Sequence, residues 1–120
     1  MATFRAMLSG DEKLCSTLHW IDDATIDTGR IISIQSQERD PAQCYLSNTI
    51  GLYPAGCAAI LEVVGMIEAG QDPPAQAPDQ PGAYYSFPDQ GSLEAFAEAG
   101  HQWANPGFVT ELISRYLPAQ

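Results

Sequence analysis

Leu18-His19-Trp20-Ile21-Asp22-Asp23-Ala24-Thr25-Ile26-Asp27-Thr28-Gly29-Arg30-Ile31-Ile32 is the stretch on which the fold turns. With Leu14-Cys15-Ser16-Thr17 before it, its first part mixes β-branched and aromatic residues in rough alternation, so residues 14–21 are expected to form a strand. Residues 30–37 are expected to form a second, with Ile32 and Ile34 on one face. The acidic loop between them closes on Thr28-Gly29, where glycine can take the positive φ that tight turns often need. An antiparallel pair follows.

Working outward, residues 2–9 are good helix formers stopped by Gly10, and Asp11-Glu12-Lys13 makes a turn. Asp40-Pro41 offers an N-cap and a first-turn proline, which predicts a long helix from there to Gly70. Leu46, Ile50, Tyr53, Cys57, Ile60, Leu61, Val64 and Ile67 keep steps of three and four and form its apolar stripe. Pro54 is expected to kink or break that helix. Residues 71–83 are a proline-rich connector, and residues 84–120 a tail. In the tail, Tyr84-Tyr85-Ser86-Phe87-Pro88 is a candidate edge strand. Residues 92–99 are expected to be helical with Leu93 and Phe96 inward. Residues 108–117 form a last helix with Val109, Leu112, Ile113 and Tyr116 on one face. Residues 1–70 thus make a strand–loop–strand–helix core, and the 120 residues make one domain at most.

Fifteen acidic against five basic residues leave a net charge of −10. Sequence-independent nucleic-acid binding requires Lys and Arg to neutralise phosphates, so this balance argues against it. It argues equally against an anionic membrane surface. Cys15, Cys44 and Cys57 are odd in number, lack Cys-x-x-Cys spacing and read as small core residues of a reducing compartment. The start Met1-Ala2-Thr3-Phe4-Arg5 has no signal-peptide apolar run, and the most apolar window, Ala55 to Met66, is too short to span a bilayer. A cytoplasmic location is expected. No metal-ligand spacing, serine elbow or phosphate-cradling glycine loop is visible. His101, after Gly100, is expected to be a solvent-facing cap residue.

Asp27 is the first candidate for chemistry. A carboxylate in a tight loop, with Asp22 and Asp23 close in sequence, can have its pKa moved by desolvation and like-charge crowding, and can then shuttle a proton or orient a charged histidine. A plain turn aspartate capping backbone N–H groups is the other reading of the same residue.

The run Thr17-Leu18-His19-Trp20-Ile21-Asp22 followed by Asp27-Thr28-Gly29-Arg30-Ile31-Ile32 resembles the catalytic loop of the folate-dependent formyltransferases, the family of methionyl-tRNA formyltransferase and glycinamide ribonucleotide transformylase. Further likenesses are Phe4 to Gly10 as the end of the preceding helix, the helix closing on Ile67-Glu68-Ala69-Gly70, Pro74-Ala75-Gln76 as the family's Pro-x-Gln, and Tyr84 to Pro88. The resemblance implies an α/β fold: the C-terminal portion of a Rossmann-like formyltransferase core, with an antiparallel strand pair, a long kinked helix and a helical tail. It implies formyl transfer from N10-formyltetrahydrofolate to a small amine-bearing acceptor. Asp27 would be catalytic. Ile21, Asp22, Asp23, Ala24, Thr25, Ile26 and Thr28 would wrap the folate ring, and His19 would stand at the loop's mouth.

The family's catalytic Asn and its His-Pro/Gly-Ser-Leu-Leu-Pro segment precede this region, and no His followed by Ser-Leu-Leu-Pro occurs in these 120 residues. A start codon placed too late, a fragment and a degenerate paralogue are the three explanations. The chain alone is expected to be inactive. It is expected to form homo-oligomers or to pair with an N-terminal half, because half a domain exposes sheet edges and apolar faces. A non-catalytic interaction module derived from the family is the alternative.

Overall fold

The computed structural model describes residues 1–21, 29–78 and 85–117. Helix α1 (Ala2–Ser9) leads into strand β1 (Lys13–His19), which pairs antiparallel with strand β2 (Ile31–Glu38). Helices α2 (Tyr45–Gly51), α3 (Tyr53–Glu68), α4 (Gln90–Glu98) and α5 (Pro106–Tyr116) follow. The protein is therefore mixed α and β, with a two-stranded antiparallel sheet, as the alternation around the acidic loop implied.

The helix expected from Asp40 starts at Tyr45 instead. The Asp40 carboxylate accepts from the Ala42 N–H at 2.9 Å, closing a turn of its own, and Cys44 caps α2 by accepting from the Ser47 N–H at its sulfur. Buried Asn48 fixes this corner. Its amide donates to the carbonyls of Asp40, Gln43 and Cys44 at 3.1, 3.2 and 3.3 Å, and its oxygen accepts from the Asp40 N–H at 3.1 Å. The break anticipated at Pro54 is present. Leu52 separates α2 from α3, and Pro54 occupies the first turn of α3, where its missing N–H costs nothing.

The apolar stripe read from the sequence is not the one that packs on the sheet. Tyr53, Cys57, Ile60, Leu61, Val64 and Ile67 are exposed, while the neighbouring row Leu52, Gly56, Ala59, Val63 and Met66 is covered or half-covered. The close approach explains the choice. A Cβ at Gly56 would stand 2.9 Å from Ser16 Oγ, so α3 meets β1 along its small residues. Ser16, Gln35 and Gln37 lie on that side of the sheet, and Gln37 donates to the Asn48 carbonyl at 3.2 Å. Ile32 and Ile34 share the opposite face, as expected, but that face is open, with Ile34 55% exposed.

The aromatic core lies elsewhere. Phe4 and Met7 of α1 close over Phe96 of α4, with the rings of Phe4 and Phe96 4.8 Å apart. Trp103 stacks on Phe4 at 5.3 Å and meets Tyr45 edge-on at 5.2 Å. His101 is a tie in this cluster rather than a solvent-facing cap. Its Nε2 donates to the Met7 carbonyl at 3.1 Å and its ring lies 4.8 Å from Phe96. Leu93, expected inward, is exposed. Ile113 and Tyr116 are exposed too, leaving Phe108, Val109 and Leu112 as the more covered side of α5. Residues 85–88 form no strand. Of the cysteines only Cys44 is buried; Cys15 and Cys57 are exposed.

Candidate functional site

The candidate site sits where β1 and β2 approach the acidic loop. The ladder ends with His19 opposite Ile31, after an irregularity between Leu18 and His19 that re-aims the chain. Beyond it the Trp20 N–H donates to the Arg30 carbonyl at 2.9 Å, so the two chains stay joined one residue into the loop. His19 Nδ1 donates to the Trp20 carbonyl at 3.0 Å, which places a proton on that nitrogen. Histidine is thus held at the mouth of the loop, where strand alternation put it.

Gly29 is required here for space. A Cβ at this position would overlap the Trp20 carbonyl oxygen. The glycines shown with positive φ are Gly10, Gly70 and Gly100, each just past a helix. Close approach of two backbones accounts for glycine in the Thr28-Gly29 closure. Ile21 projects 82% exposed at the start of the loop. Asp22, Asp23, Ala24, Thr25, Ile26, Asp27 and Thr28 lie outside the described residues.

One element of the site was quoted in the sequence but not placed. Pro74-Ala75-Gln76 lies against the loop end of β2, and Gln76 and Ile31 exchange both backbone hydrogen bonds, at 2.7 and 2.9 Å. A cleft of about 290 Å³ opens there between Ile31, Ile32, Pro74, Ala75 and Gln76. The connector therefore contributes a wall of the site, and only its Pro-x-Gln wording hinted at that.

A separate cleft of about 330 Å³ runs between β1 and α3, lined by Cys15, Thr17, Gln35, Thr49, Tyr53 and Cys57 among others. Thr49 Oγ1 is buried there without a hydrogen-bond partner. Among the described residues no three of His, Cys, Asp and Glu converge as metal ligands would. The combined run Tyr45–Glu68, 24 residues holding an 18-residue window of mean hydropathy 1.8, has the length and composition of a membrane span, longer than the Ala55–Met66 window considered from sequence. The break at Leu52 and the charge of Glu62 weigh against such a use. No family model and no curated protein matches this chain.

Proposed function

We propose that this chain is the C-terminal portion of a Rossmann-like, folate-dependent formyltransferase domain. It would contribute the folate loop and the catalytic aspartate to formyl transfer from N10-formyltetrahydrofolate to a small amine, in the cytoplasm. Asp27 holds a histidine in its useful protonation state and takes part in moving the proton as the amine attacks the formyl carbon. The segment Ile21 to Thr28 surrounds the pteridine ring, largely through backbone groups. The Asn and the catalytic His come from a segment that these 120 residues do not contain.

The observation that carries this reading is the meeting of two motifs distant in sequence. The Pro74-Ala75-Gln76 segment pairs with Ile31 beside the loop opening, so the two stretches that resemble the family share one wall. The two-strand sheet adds support. A sheet of two strands is marginal alone, and the open face bearing Ile32 and Ile34 suits a sheet continued by further strands and covered by further helices.

Calorimetric titration with 5-formyltetrahydrofolate tests it. The expected result is saturable binding that Asp27→Ala weakens, with no formyl transfer by the chain alone. Absence of binding, or turnover by the isolated chain, would overturn the reading. The exposed row on α3 favours a second one, a non-catalytic oligomerising module derived from that family.

A further inference from the structure

We propose that the free edge of β1 takes an extended peptide of another protein as an added strand, held between β1 and α3. This does not rest on the formyl-transfer reading. The ladder fixes which backbone groups are free. The Arg39 N–H donates to the Glu12 carbonyl at 2.7 Å, in the same register that pairs Lys13 with Glu38 and Thr17 with Ile34. Bonded and non-bonded pairs alternate along an antiparallel ladder. Leu14, Ser16 and Leu18 therefore turn their N–H and C=O groups toward β2, and Cys15 and Thr17 turn theirs the other way. The sheet has two strands, so among the described residues no strand meets that second edge of β1.

The cleft of about 330 Å³ between β1 and α3 lies along this edge. Four consecutive residues, 15–18, form one of its walls. A sheet face contributes alternate residues to a wall, whereas consecutive ones mean that the strand presents its edge. Tyr53, Cys57 and Ile60 of α3, at steps of four and three, form the opposite wall. A strand edge facing a helix is a groove in which an extended peptide can add to a sheet.

The occupant follows from the two walls. The outward groups of Cys15 and Thr17 are two residues apart, roughly 7 Å along the strand. Another extended backbone matches that repeat bond for bond, and its alternate side chains fall against the apolar helix wall. Thr49, whose Oγ1 is buried without a hydrogen-bond partner, also lines the cleft and offers a hydroxyl to a polar side chain. Among the described residues no Asp or Glu lines the cleft, while the whole chain carries a net charge of −10. The partner is thus an extended segment that alternates apolar residues with Ser or Thr and is flanked by Lys or Arg, which answer the surrounding charge. A second copy of the chain fits less well, because it brings two net charges of −10 together.

The probe is the peptide acetyl-Lys-Val-Thr-Val-Thr-Val-Lys-amide, titrated against the full chain by fluorescence anisotropy and followed by amide hydrogen exchange. Saturable binding is expected, with exchange at the Cys15 and Thr17 amides slowed about tenfold or more. The Ser16 and Leu18 amides, already bonded to β2, are expected to change less. N-methylating the peptide along one edge is expected to weaken binding about tenfold or more, as the loss of one or two hydrogen bonds does. Thr17→Pro removes an outward N–H, spares the bonds to β2, and is expected to weaken binding equally. Should that variant lose its circular dichroism, Ile60→Glu, at a 48% exposed position, sets a carboxylate in the cleft and is expected to have the same effect. No binding at millimolar peptide, binding without slowing at Cys15 and Thr17, or binding that survives N-methylation overturns the proposal. So does a wild-type dimer in light scattering whose Cys15 and Thr17 amides are slow before peptide is added, because a second copy then holds the edge.

Discussion

Gly29, Asn48 and Asp89 each act through a few atoms, and each makes a prediction. At Gly29 a methyl group has nowhere to go but into the Trp20 carbonyl. Gly29→Ala is therefore expected to cost roughly 1–3 kcal/mol and to part the loop chains. Chemical denaturation measures the first effect, and faster exchange of the Trp20 amide hydrogen the second. Asn48 makes four hydrogen bonds in a buried corner. Removing them strands the Gln43 carbonyl and the Asp40 N–H, while the Asp40 and Cys44 carbonyls keep backbone donors, so Asn48→Ala is expected to lower unfolding free energy by roughly 1–3 kcal/mol. Asp89 caps α4. Hydrogen bonds from the Ser92 side chain and N–H, aided by the nearby Arg5 charge, hold its carboxyl below the ordinary value of 3.8. A carboxyl more acidic in the folded than the unfolded chain stabilises above its unfolded pKa, and that help is lost as pH falls through the folded value. Asp89→Asn keeps an acceptor oxygen but cannot titrate. It is expected to flatten the fall of melting temperature below about pH 4. The sequence identified His19's position and the need for glycine at 29, but not its reason. A near-contact between backbones nine residues apart has no composition signal.

At the scale of elements, α3 holds the clearest contrast. A Cβ at Gly56 meets Ser16, whereas one at Gly65 meets nothing within 4 Å. Gly56→Val is expected to destabilise by roughly 1–3 kcal/mol through overpacking. Gly65→Ala is expected to stabilise by about 0.5–1 kcal/mol through helix propensity. Thermal melts of the two variants should move in opposite directions. Element types were readable from sequence for both strands and all the helices, because alternation and the three-four repeat are local. Starts were less so. Asp40 looked like a cap and closes a turn, while Asp89 and Asn105, the caps that start α4 and α5, were passed over. Which of two adjacent apolar rows on α3 would face the sheet was not readable at all. Both rows repeat every three and four residues, and the smaller one wins by allowing closer approach.

Taken whole, the molecule is open: its radius of gyration is 17.0 Å, against about 14 Å for a compact domain of its length. Two small packed regions, one aromatic and one between α3 and the sheet, share the burial that one core would otherwise provide. A net charge of −10 makes copies of the chain repel one another, which favours solubility. The acidic composition was plain in the sequence; the division of the core was not, since it depends on Phe96 reaching back to Phe4 across most of the chain. The same division separates the two tryptophans. Trp103 is stacked in the aromatic cluster, and Trp20 stands at the entrance to residues 22–28. Their emission is thus a pair of independent optical gauges: with Trp103→Phe, the remaining indole reads events at the loop alone, and with Trp20→Phe, the other reads melting of the cluster.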